Sequence, residues 1–278
     1  MRDYRKRFSV DPEVKLRLDA VDTGYCDKHA SEAAAKTEIE RYLRRLTDLQ
    51  LRLYASRRYA VLVVLQALDA GGKDGTVDHV MSAFNPQGAT VTGFKVPTPI
   101  EAAHDFLWRV HPHAPAKGEI AIFNRSHYED VLVTRVHGAI DARECARRYE
   151  AIRDFERQLV RAKTVVLKFF LHISKAEQLE RFGERLDDPA RNWKISESDY
   201  TERERWDDYV KAYQDALRAT STKHAPWYVI PADHKWFRNL AVSQILAATL
   251  GELDMRYPEP SVDLADIRRR YHEAARAE

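Results

Sequence analysis

A glycine-rich turn at residues 68–76 is the stretch of this sequence best suited to phosphate chemistry; it reads LDAGGKDGT. Successive backbone N–H groups in such a turn point at one spot and favour an anion. Lys73 adds a positive charge that suits a terminal phosphate. The stretch departs from the phosphate-loop pattern G-x-x-x-x-G-K-[ST], because Ala67 stands at the first glycine and Asp74 at the hydroxyl residue. An ordinary turn with a solvated lysine is the alternative.

Two carboxylates flank this turn and call for a separate explanation. Asp69 lies at the predicted strand end, where it could hold Mg²⁺ or orient the attacking phosphate oxygen. Mg²⁺ prefers hard oxygen ligands, and a phosphate loop usually holds it in part through the hydroxyl residue that this chain lacks. Asp74 falls in the first turn of the next helix, where a carboxylate accepts backbone N–H bonds. We favour this capping role for Asp74 over direct catalysis.

A second polar cluster follows another apolar run, in the stretch IFNRSHYEDVLVTRV at residues 122–136. A carboxylate at this strand end would act as a Walker B acid, but the chain offers Asn124, which is a weaker, neutral oxygen ligand. Arg125 is suited to bidentate phosphate contact. A surface turn with scattered charges is the alternative. Together the two stretches give the expected phosphate-binding residues, which are Gly71, Gly72, Lys73, Asp74, Gly75, Thr76 and Arg125.

Alternating strands and helices must position these two stretches. Near-continuous aliphatic runs are typical of strands buried on both faces of a parallel sheet. Helical patterns separate most of these runs, which favours an α/β layered fold with ligands at the carboxyl ends of the strands. A helix with apolar residues at helical spacing is predicted over 32–56. The strands are predicted at 59–68, 90–96, 118–124, 163–173 and 225–231.

A charge-dense excursion at residues 180–208 lies between the fourth and fifth predicted strands. We expect a short arm, a turn at Asp188-Pro189 and a long helix, forming a mobile lid beside the strand ends. A solvated pair of surface helices is the alternative. The predicted division is an N-terminal segment and packing helix over 1–58, a core over 59–250 that contains the lid, and a tail over 251–278.

Composition narrows the class of protein further. The 278 residues carry 45 Lys+Arg and 43 Asp+Glu, a net charge of +2 that argues against a whole-surface nucleic-acid binder. No apolar run reaches the roughly 18 residues of a membrane span, and the charged N-terminus does not resemble a secretory signal. Cys26 and Cys145 are expected to be free thiols. We therefore expect a cytoplasmic protein with no nucleic-acid or membrane partner.

Three motifs together resemble the polyphosphate kinase 2 family, and the resemblance covers roughly residues 30 to 250. They are LDAGGKDGT, FNRSHYEDVLV and DDPARNWKISESDYTERERWDDY. The resemblance implies a three-layer, thymidylate kinase-like phosphate-loop fold with a five-stranded parallel sheet and a helical lid. It implies transfer of the terminal phosphate of inorganic polyphosphate to a nucleotide, reversibly and with Mg²⁺ or Mn²⁺. Relatives assemble as dimers or tetramers, so a homodimer or homotetramer is expected.

The resemblance also assigns roles to individual positions. Asp69 matches the Walker A aspartate. The predicted metal site consists of Asp69 and Asn124. The form NRSHYED looks like the branch called class III, which accepts nucleoside monophosphates and diphosphates, so Glu129 is expected to tune acceptor choice. The expected catalytic residues are Asp69, Lys73, Arg125, Arg181 and Arg185, with one of the last two closing onto the transferring phosphoryl group. The expected acceptor-binding residues are Asn124, Glu129 and Asp130. Phe94 is added because it lies at the end of the second predicted strand, with ordinary packing as the alternative.

Two rival functions remain open at the level of the sequence. One is a nucleoside monophosphate kinase that uses ATP as its donor. The other is a non-catalytic nucleotide-binding module in which the glycine turn acts as a sensor. The sequence does not distinguish the preferred base, the choice between mono- and diphosphate acceptors or the physiological direction. It also leaves open the preferred length of polyphosphate, the number of metal ions, the oligomer count and the role of the tail.

Overall fold

Five parallel strands form one sheet in the order β2-β3-β1-β4-β5. The computed structural model describes residues 3–277. The strands are β1 (Ala60–Ala67), β2 (Ala89–Gly93), β3 (Ile120–Asn124), β4 (Thr164–His172) and β5 (Trp227–Pro231). The helices are α1 (Tyr4–Phe8), α2 (Glu32–Ser56), α3 (Lys73–Met81), α4 (Pro99–Ala102), α5 (Val133–Val136), α6 (Ala142–Arg161), α7 (Lys175–Asp187), α8 (Glu197–Glu204), α9 (Trp206–Thr220), α10 (Lys235–Gly251) and α11 (Leu264–Ala277).

The sheet brings the two polar stretches to one edge. Leu65 of β1 pairs with Asn124 of β3, and Ala67 pairs with Leu171 of β4. Every residue of β1 is buried, which explains its unbroken aliphatic run. The strand β2 ends at Gly93, short of the predicted residue 96. The bounds of the other four strands agree with the predicted bounds within two residues. The predicted α/β fold with a five-stranded parallel sheet is confirmed.

Helices cover both faces of the sheet and make the expected three layers. The helices α2, α3 and α10 pack together on one face, and α6 and α9 pack together on the other. The predicted helix over 32–56 has the predicted bounds, and its apolar stripe buries Tyr42, Leu46 and Leu53. It ends where Arg57 takes a left-handed conformation with φ 48°. This layer supports α3 and therefore the loop that precedes it.

The lid region departs from the sequence-based expectation in one respect. The arm α7 runs into the turn after Asp188, followed by a short 3₁₀ segment, Asn192–Lys194. The single long helix that was expected is split at Arg205, where α8 ends and α9 begins. Trp206 and Tyr213 of α9 are buried in the core, so only the part before Arg205 projects beside the strand ends.

The two ends of the chain differ in their contacts. Residues 3–30 pack against the body, with Tyr4, Phe8 and Leu18 buried. In contrast, α11 buries none of its residues. Cys26 and Cys145 are free. None of the helices between residues 3 and 277 has the length and apolar surface that crossing a membrane requires. The division of the chain into segment, core and tail stays a prediction.

Candidate active site

A cavity of about 910 Å³ opens at the carboxyl edge of the sheet. Its walls come from the glycine turn, from the ends of β2 and β3, from the lid between α7 and Lys194, and from the start of α10. The site residues predicted from the sequence that line it are Asp69, Gly71, Gly72, Lys73, Asp74, Gly75, Phe94, Asn124, Arg125, Arg181 and Arg185. Thr76, Glu129 and Asp130 lie behind its surface. The two polar stretches therefore share one cleft, as the parallel sheet requires.

The glycine turn has the strand–turn–helix geometry that the sequence predicts. Gly72 adopts φ 95° directly before α3, a conformation that side chains other than that of glycine rarely allow. A Cβ on Gly71 would lie 2.5 Å from the Cβ of Ala67 and 2.9 Å from the carbonyl oxygen of Leu68. Thr76 is buried and its hydroxyl donates to the Gly72 carbonyl, so it braces the turn from within the helix. Gly71 is thus required because its neighbours leave no room for a Cβ, and Gly72 because of its backbone conformation.

Lys73 folds back over the turn in this structure. Its Nζ donates to the carbonyl oxygens of Ala67 at 2.8 Å and Leu68 at 3.4 Å. Burial lowers the pKa of this ammonium, and the nearby carboxylate of Asp69 opposes that effect. The ammonium group is therefore held at the end of β1, and Lys73 also forms part of the cavity wall.

Asp69 and Arg125 meet at the mouth of the loop. Arg125 Nη2 lies 3.3 Å from Asp69 Oδ1, joining the stretches that follow β1 and β3. Arg125 has φ 63°, a strained conformation for arginine, and its N–H donates to the Leu65 carbonyl. Burial disfavours its charge, but Glu129 and Asp69 outweigh that effect and leave its pKa raised. The strained backbone at Arg125 thus coincides with a side chain whose guanidinium is held in the cleft by Asp69.

Asp74 does not cap α3 in this structure. Its Oδ1 accepts a hydrogen bond from Asn124 Nδ2 at 2.8 Å, and its Oδ2 lies 3.7 Å from Lys194 Nζ. The predicted capping role is therefore wrong: the side chain lies in the first helical turn but engages the opposite wall and the lid. Asp74 links three elements of the cavity, a role that helix position alone does not reveal.

The two predicted lid arginines behave differently. Arg181 is 5% exposed; its guanidinium donates to the carbonyls of Ala70 at 2.8 Å and Ala232 at 2.5 Å, and its Nε pairs with Glu177. In this structure it fastens the turn to the body. That Arg181 or Arg185 closes onto the transferring phosphoryl group stays a prediction. Arg185 lies 3.7 Å from Asp199 of the lid and lines the cavity.

Arg238, on the first turns of α10, is a site residue that the sequence reading missed. It is 4% exposed, and a Cβ on Gly72 would collide with its Nη1. Its side-chain hydrogen bonds go to Asn239 Oδ1 at 2.9 and 3.1 Å; no carboxylate in residues 3–277 pairs with it. Burial, together with the charge of Arg181, lowers its pKa to about 10. A buried cation without a counter-charge beside a phosphate loop is suited to bind an anion.

Of the residues predicted to bind the acceptor, Phe94 and Asn124 line the cavity, and Glu129 and Asp130 do not. Phe94 lines the cavity and packs edge-on against Phe123. Burial raises the pKa of Glu129, and the charges of Arg125 and Lys73 oppose that rise. The buried carboxylate of Asp130 lies 3.4 Å from Arg109 Nη2. Arg109 also donates to the Lys95 carbonyl just after β2, so this ion pair joins the segments that follow β2 and β3; the contact of Asp130 with the acceptor stays a prediction.

The donors available to a divalent ion are few but of the right kind. Asp69 and Asp74 supply carboxylates and Asn124 an amide oxygen, all on the cavity wall. No group of three or more His, Cys, Asp or Glu in residues 3–277 could hold a metal by itself. Mg²⁺ is commonly held by one or two carboxylates with the remaining positions filled by water and substrate phosphates. The residues present fit an ion shared with a phosphorylated substrate.

Comparisons with known proteins agree with this geometry. The polyphosphate kinase 2 family model matches residues 29–258. An AMP/ADP-polyphosphate phosphotransferase from Meiothermus ruber is 50% identical over 92% of this chain and 96% of its own length. An ADP-polyphosphate phosphotransferase from Rhodopseudomonas palustris is 44% identical over 93% of this chain and 94% of its own.

The fold has a counterpart among solved structures. The crystal structure of polyphosphate kinase 2 from Arthrobacter aurescens superposes with a TM-score of 0.94 at 42% identity, covering 98% of this chain and 97% of that one. The fold is thus shared over nearly the whole length of both chains. The chain belongs to the polyphosphate kinase 2 family.

Proposed function

We propose that this protein transfers the terminal phosphate of inorganic polyphosphate to AMP and to ADP, reversibly. The observation that carries the proposal is a glycine loop with cations on both sides of it at one cavity. Arg125 stands at the mouth of the loop, and Arg238 lies beneath Gly72. The names of the two relatives, each matched over more than nine-tenths of its length, support polyphosphate as donor and AMP or ADP as acceptor.

The polyphosphate chain is assigned to the side of the cavity formed by the lid and α10. That side carries a run of cations, whose charges suit a polyanion. Two of them are tied to the same carboxylate, because Lys235 Nζ lies 2.6 Å and Arg191 Nη1 3.9 Å from Glu184 Oε2. The cations are Arg185, Arg191, Lys194, Lys235 and Arg238.

The nucleotide is assigned to the opposite wall, at the ends of β2 and β3. Phe94 offers an apolar surface there, and Asn124 a polar group. Glu129 acts from behind this wall through Arg125, so it tunes acceptor choice by charge rather than by contact. Acceptance of both mono- and diphosphates, as in class III, belongs to this proposal.

Phosphoryl transfer needs positioning and neutralisation of charge more than a covalent catalyst. We assign Lys73 and Arg125 to the oxygens of the transferring group, with Gly71, Gly72 and Gly75 giving the backbone room to approach. Arg185 adds charge from the lid. Arg181 holds the turn in place through the Ala70 carbonyl.

A divalent cation, Mg²⁺ or Mn²⁺, is part of the proposal. Asp69 would hold it, with Asn124 and Asp74 close enough in the cavity wall to share it through their oxygens or through water. When bound, such an ion neutralises charge on the phosphates and draws donor and acceptor together. The ion pair of Asp69 with Arg125 keeps that carboxylate at the mouth of the loop.

Turnover of AMP with polyphosphate as the sole donor tests the proposal against its rivals. Formation of ADP or ATP without added ATP is expected, whereas a nucleoside monophosphate kinase would require ATP. Asp69→Asn should lose turnover by orders of magnitude and keep its fold. Asp48→Asn is the matched control, because Asp48 pairs with Arg52 on the surface of α2. A binding module would turn over nothing in any form, and that outcome would overturn the assignment.

Assembly and location extend the proposal. A homodimer or homotetramer is proposed from the family. The helix α11 could contribute to the contact between subunits, because none of its residues is buried in the monomer. A cytoplasmic location, and the absence of nucleic-acid partners, stay predictions.

A further inference from the structure

The N-terminal residues 3–30, here called the strap, pass β5 near its amino-terminal end at Ser9 and reach the carboxyl edge of the sheet at Leu18 and Thr23. Almost all of the strap precedes residue 29, where the family match begins. The carbonyl of Leu18 accepts a hydrogen bond from His172 Nε2 at 3.0 Å, at the last residue of β4. Leu18 itself is 1% exposed. The strap is therefore packed onto the strand ends from which α7 and α10 begin.

Asp233, just beyond the end of β5, connects the strap to the lid arm. Its Oδ2 accepts from the Thr23 hydroxyl at 2.6 Å, and its N–H donates to the Thr23 carbonyl at 3.2 Å. Its Oδ1 accepts from the Ser174 N–H at 2.8 Å, at the N-terminus of α7. One carboxylate thus fixes three segments: the strap, the start of α7 and the turn after β5.

The same turn holds the arginine that supports the phosphate loop. Arg181 Nη2 donates to the carbonyls of Ala232 at 2.5 Å and Asp233 at 3.1 Å, while its Nη1 donates to Ala70 at 2.8 Å. A continuous set of hydrogen bonds therefore runs from Thr23 through Asp233 and Arg181 to the glycine turn. Displacing the turn after β5 would move the acceptors that hold this guanidinium.

The strap also packs on the helix that carries Arg238. Phe237 is buried and meets Tyr4, Phe8 and Tyr25 with ring centroids 5.6 to 6.1 Å apart. Edge-to-face contacts of this kind fix orientation as well as burying surface. The residue next to Phe237 is Arg238, so the strap supports both arginines beneath the loop.

We propose that Thr23 is a positioning residue for the polyphosphate side of the site. It acts through Asp233, whose carbonyl accepts from Arg181 and which lies two residues before the start of α10, the helix that carries Arg238. Its hydroxyl bonds to a carboxylate, which makes this bond stronger than one between neutral groups. The inference rests on the proposed function, because it concerns binding of the phosphoryl donor. It adds a segment outside the matched family region to the machinery that shapes the phosphate loop.

Steady-state kinetics of Thr23→Val, with each substrate varied in turn, test the inference. Valine keeps the shape and removes the hydroxyl, so Asp233 loses one hydrogen bond. The KM for polyphosphate should rise roughly three- to tenfold, which is less than the effect of removing a charged group that bonds the substrate itself, because Thr23 acts only through Asp233. The KM for AMP should stay unchanged. Thr23→Ser keeps the hydroxyl and should restore the KM for polyphosphate.

Ser221→Ala provides the matched control. The Ser221 hydroxyl donates to the Val10 carbonyl at 2.7 Å, so this variant loses a bond to the same strap near the amino-terminal end of β5. It should lower the melting temperature without separating the two KM values. A polyphosphate KM unchanged in folded Thr23→Val, an equal rise in both KM values, or no recovery in Thr23→Ser would overturn the inference. A wild type that does not use polyphosphate would overturn the proposed function, and this inference with it.

Discussion

Replacing Arg238 by methionine should make the protein no less stable and yet much weaker at using polyphosphate. The guanidinium is 4% exposed, and burial with the charge of Arg181 lowers its pKa to about 10. Relative to the ordinary arginine value, that drop corresponds to roughly 3 kcal/mol of unfavourable free energy for the charged form. Methionine fills a similar space without a buried charge. The free energy of unfolding should therefore stay equal or rise by up to about 2 kcal/mol.

The same change removes one charged donor for the phosphate chain. A hydrogen bond to a charged group contributes about 1.5–3 kcal/mol, so kcat/KM for polyphosphate should fall roughly ten- to a hundredfold. Urea denaturation gives the stability, and steady-state kinetics give the catalytic loss. Polyphosphate should also raise the melting temperature of wild type more than that of Arg238→Met, because at a given concentration a ligand with a lower Kd for the folded protein stabilises it more.

Arg153→Met is the matched control for this prediction. Arg153 Nη1 donates to the Ala219 carbonyl at 2.7 Å, joining α6 to the end of α9 on the other face of the sheet. This variant should lose stability and keep its kinetics, which reverses both effects. The reasoning fails if Arg238→Met is destabilised by several kcal/mol while its kinetics stay at the wild-type level. That result would make Arg238 a structural anchor.

Two further predictions concern buried charges. Burial raises the pKa of Glu129, so this carboxyl makes stability fall as pH rises above 4.5; urea midpoints of Glu129→Gln relative to wild type should increase from about pH 4 to 7. Arg148 lowers the pKa of Glu144, so the stability that this carboxylate contributes is lost as pH falls below about 4.5. Urea midpoints of Glu144→Gln relative to wild type should therefore fall as pH rises towards 4.5 and stay level from there to pH 7, and a rise like that of Glu129→Gln would contradict the reasoning. Lys168 Nζ lies 2.6 Å from Glu156 with both side chains buried, so Lys168→Met should lower the free energy of unfolding by about 3–5 kcal/mol. Adding Glu156→Leu should recover part of this loss, and an additive loss would contradict it.

The sequence predicts the fold and the loop because their signals are local. The run from Ala60 to Ala67 is aliphatic throughout, since both faces of β1 are covered, and the glycines mark a turn that admits no Cβ. The capping prediction for Asp74 fails because helix position does not reveal that Asn124 and Lys194 face it across the cleft. A local sequence pattern cannot identify a partner such as Asn124, which the pairing of the strands brings close to Asp74.

The supporting arginines depend on contacts distant in sequence. Arg181 donates to Ala70 and Ala232, and Arg238 lies under Gly72, so neither role is visible from neighbouring residues. The available signal for Arg238 is weak: a basic residue one turn into the helix that follows the last strand. The strap looks polar and irregular in sequence, and its place in the fold depends on bonds to distant residues, such as that of the Leu18 carbonyl with His172.

Incubation of the protein with phosphorus-labelled polyphosphate, Mg²⁺ and either AMP or ADP, without added ATP, tests the central claim most directly. Chromatographic separation of the products should show label in ADP from the first mixture and in ATP from the second. Label that remains in polyphosphate in both mixtures, while unlabelled ATP phosphorylates AMP, would contradict the account.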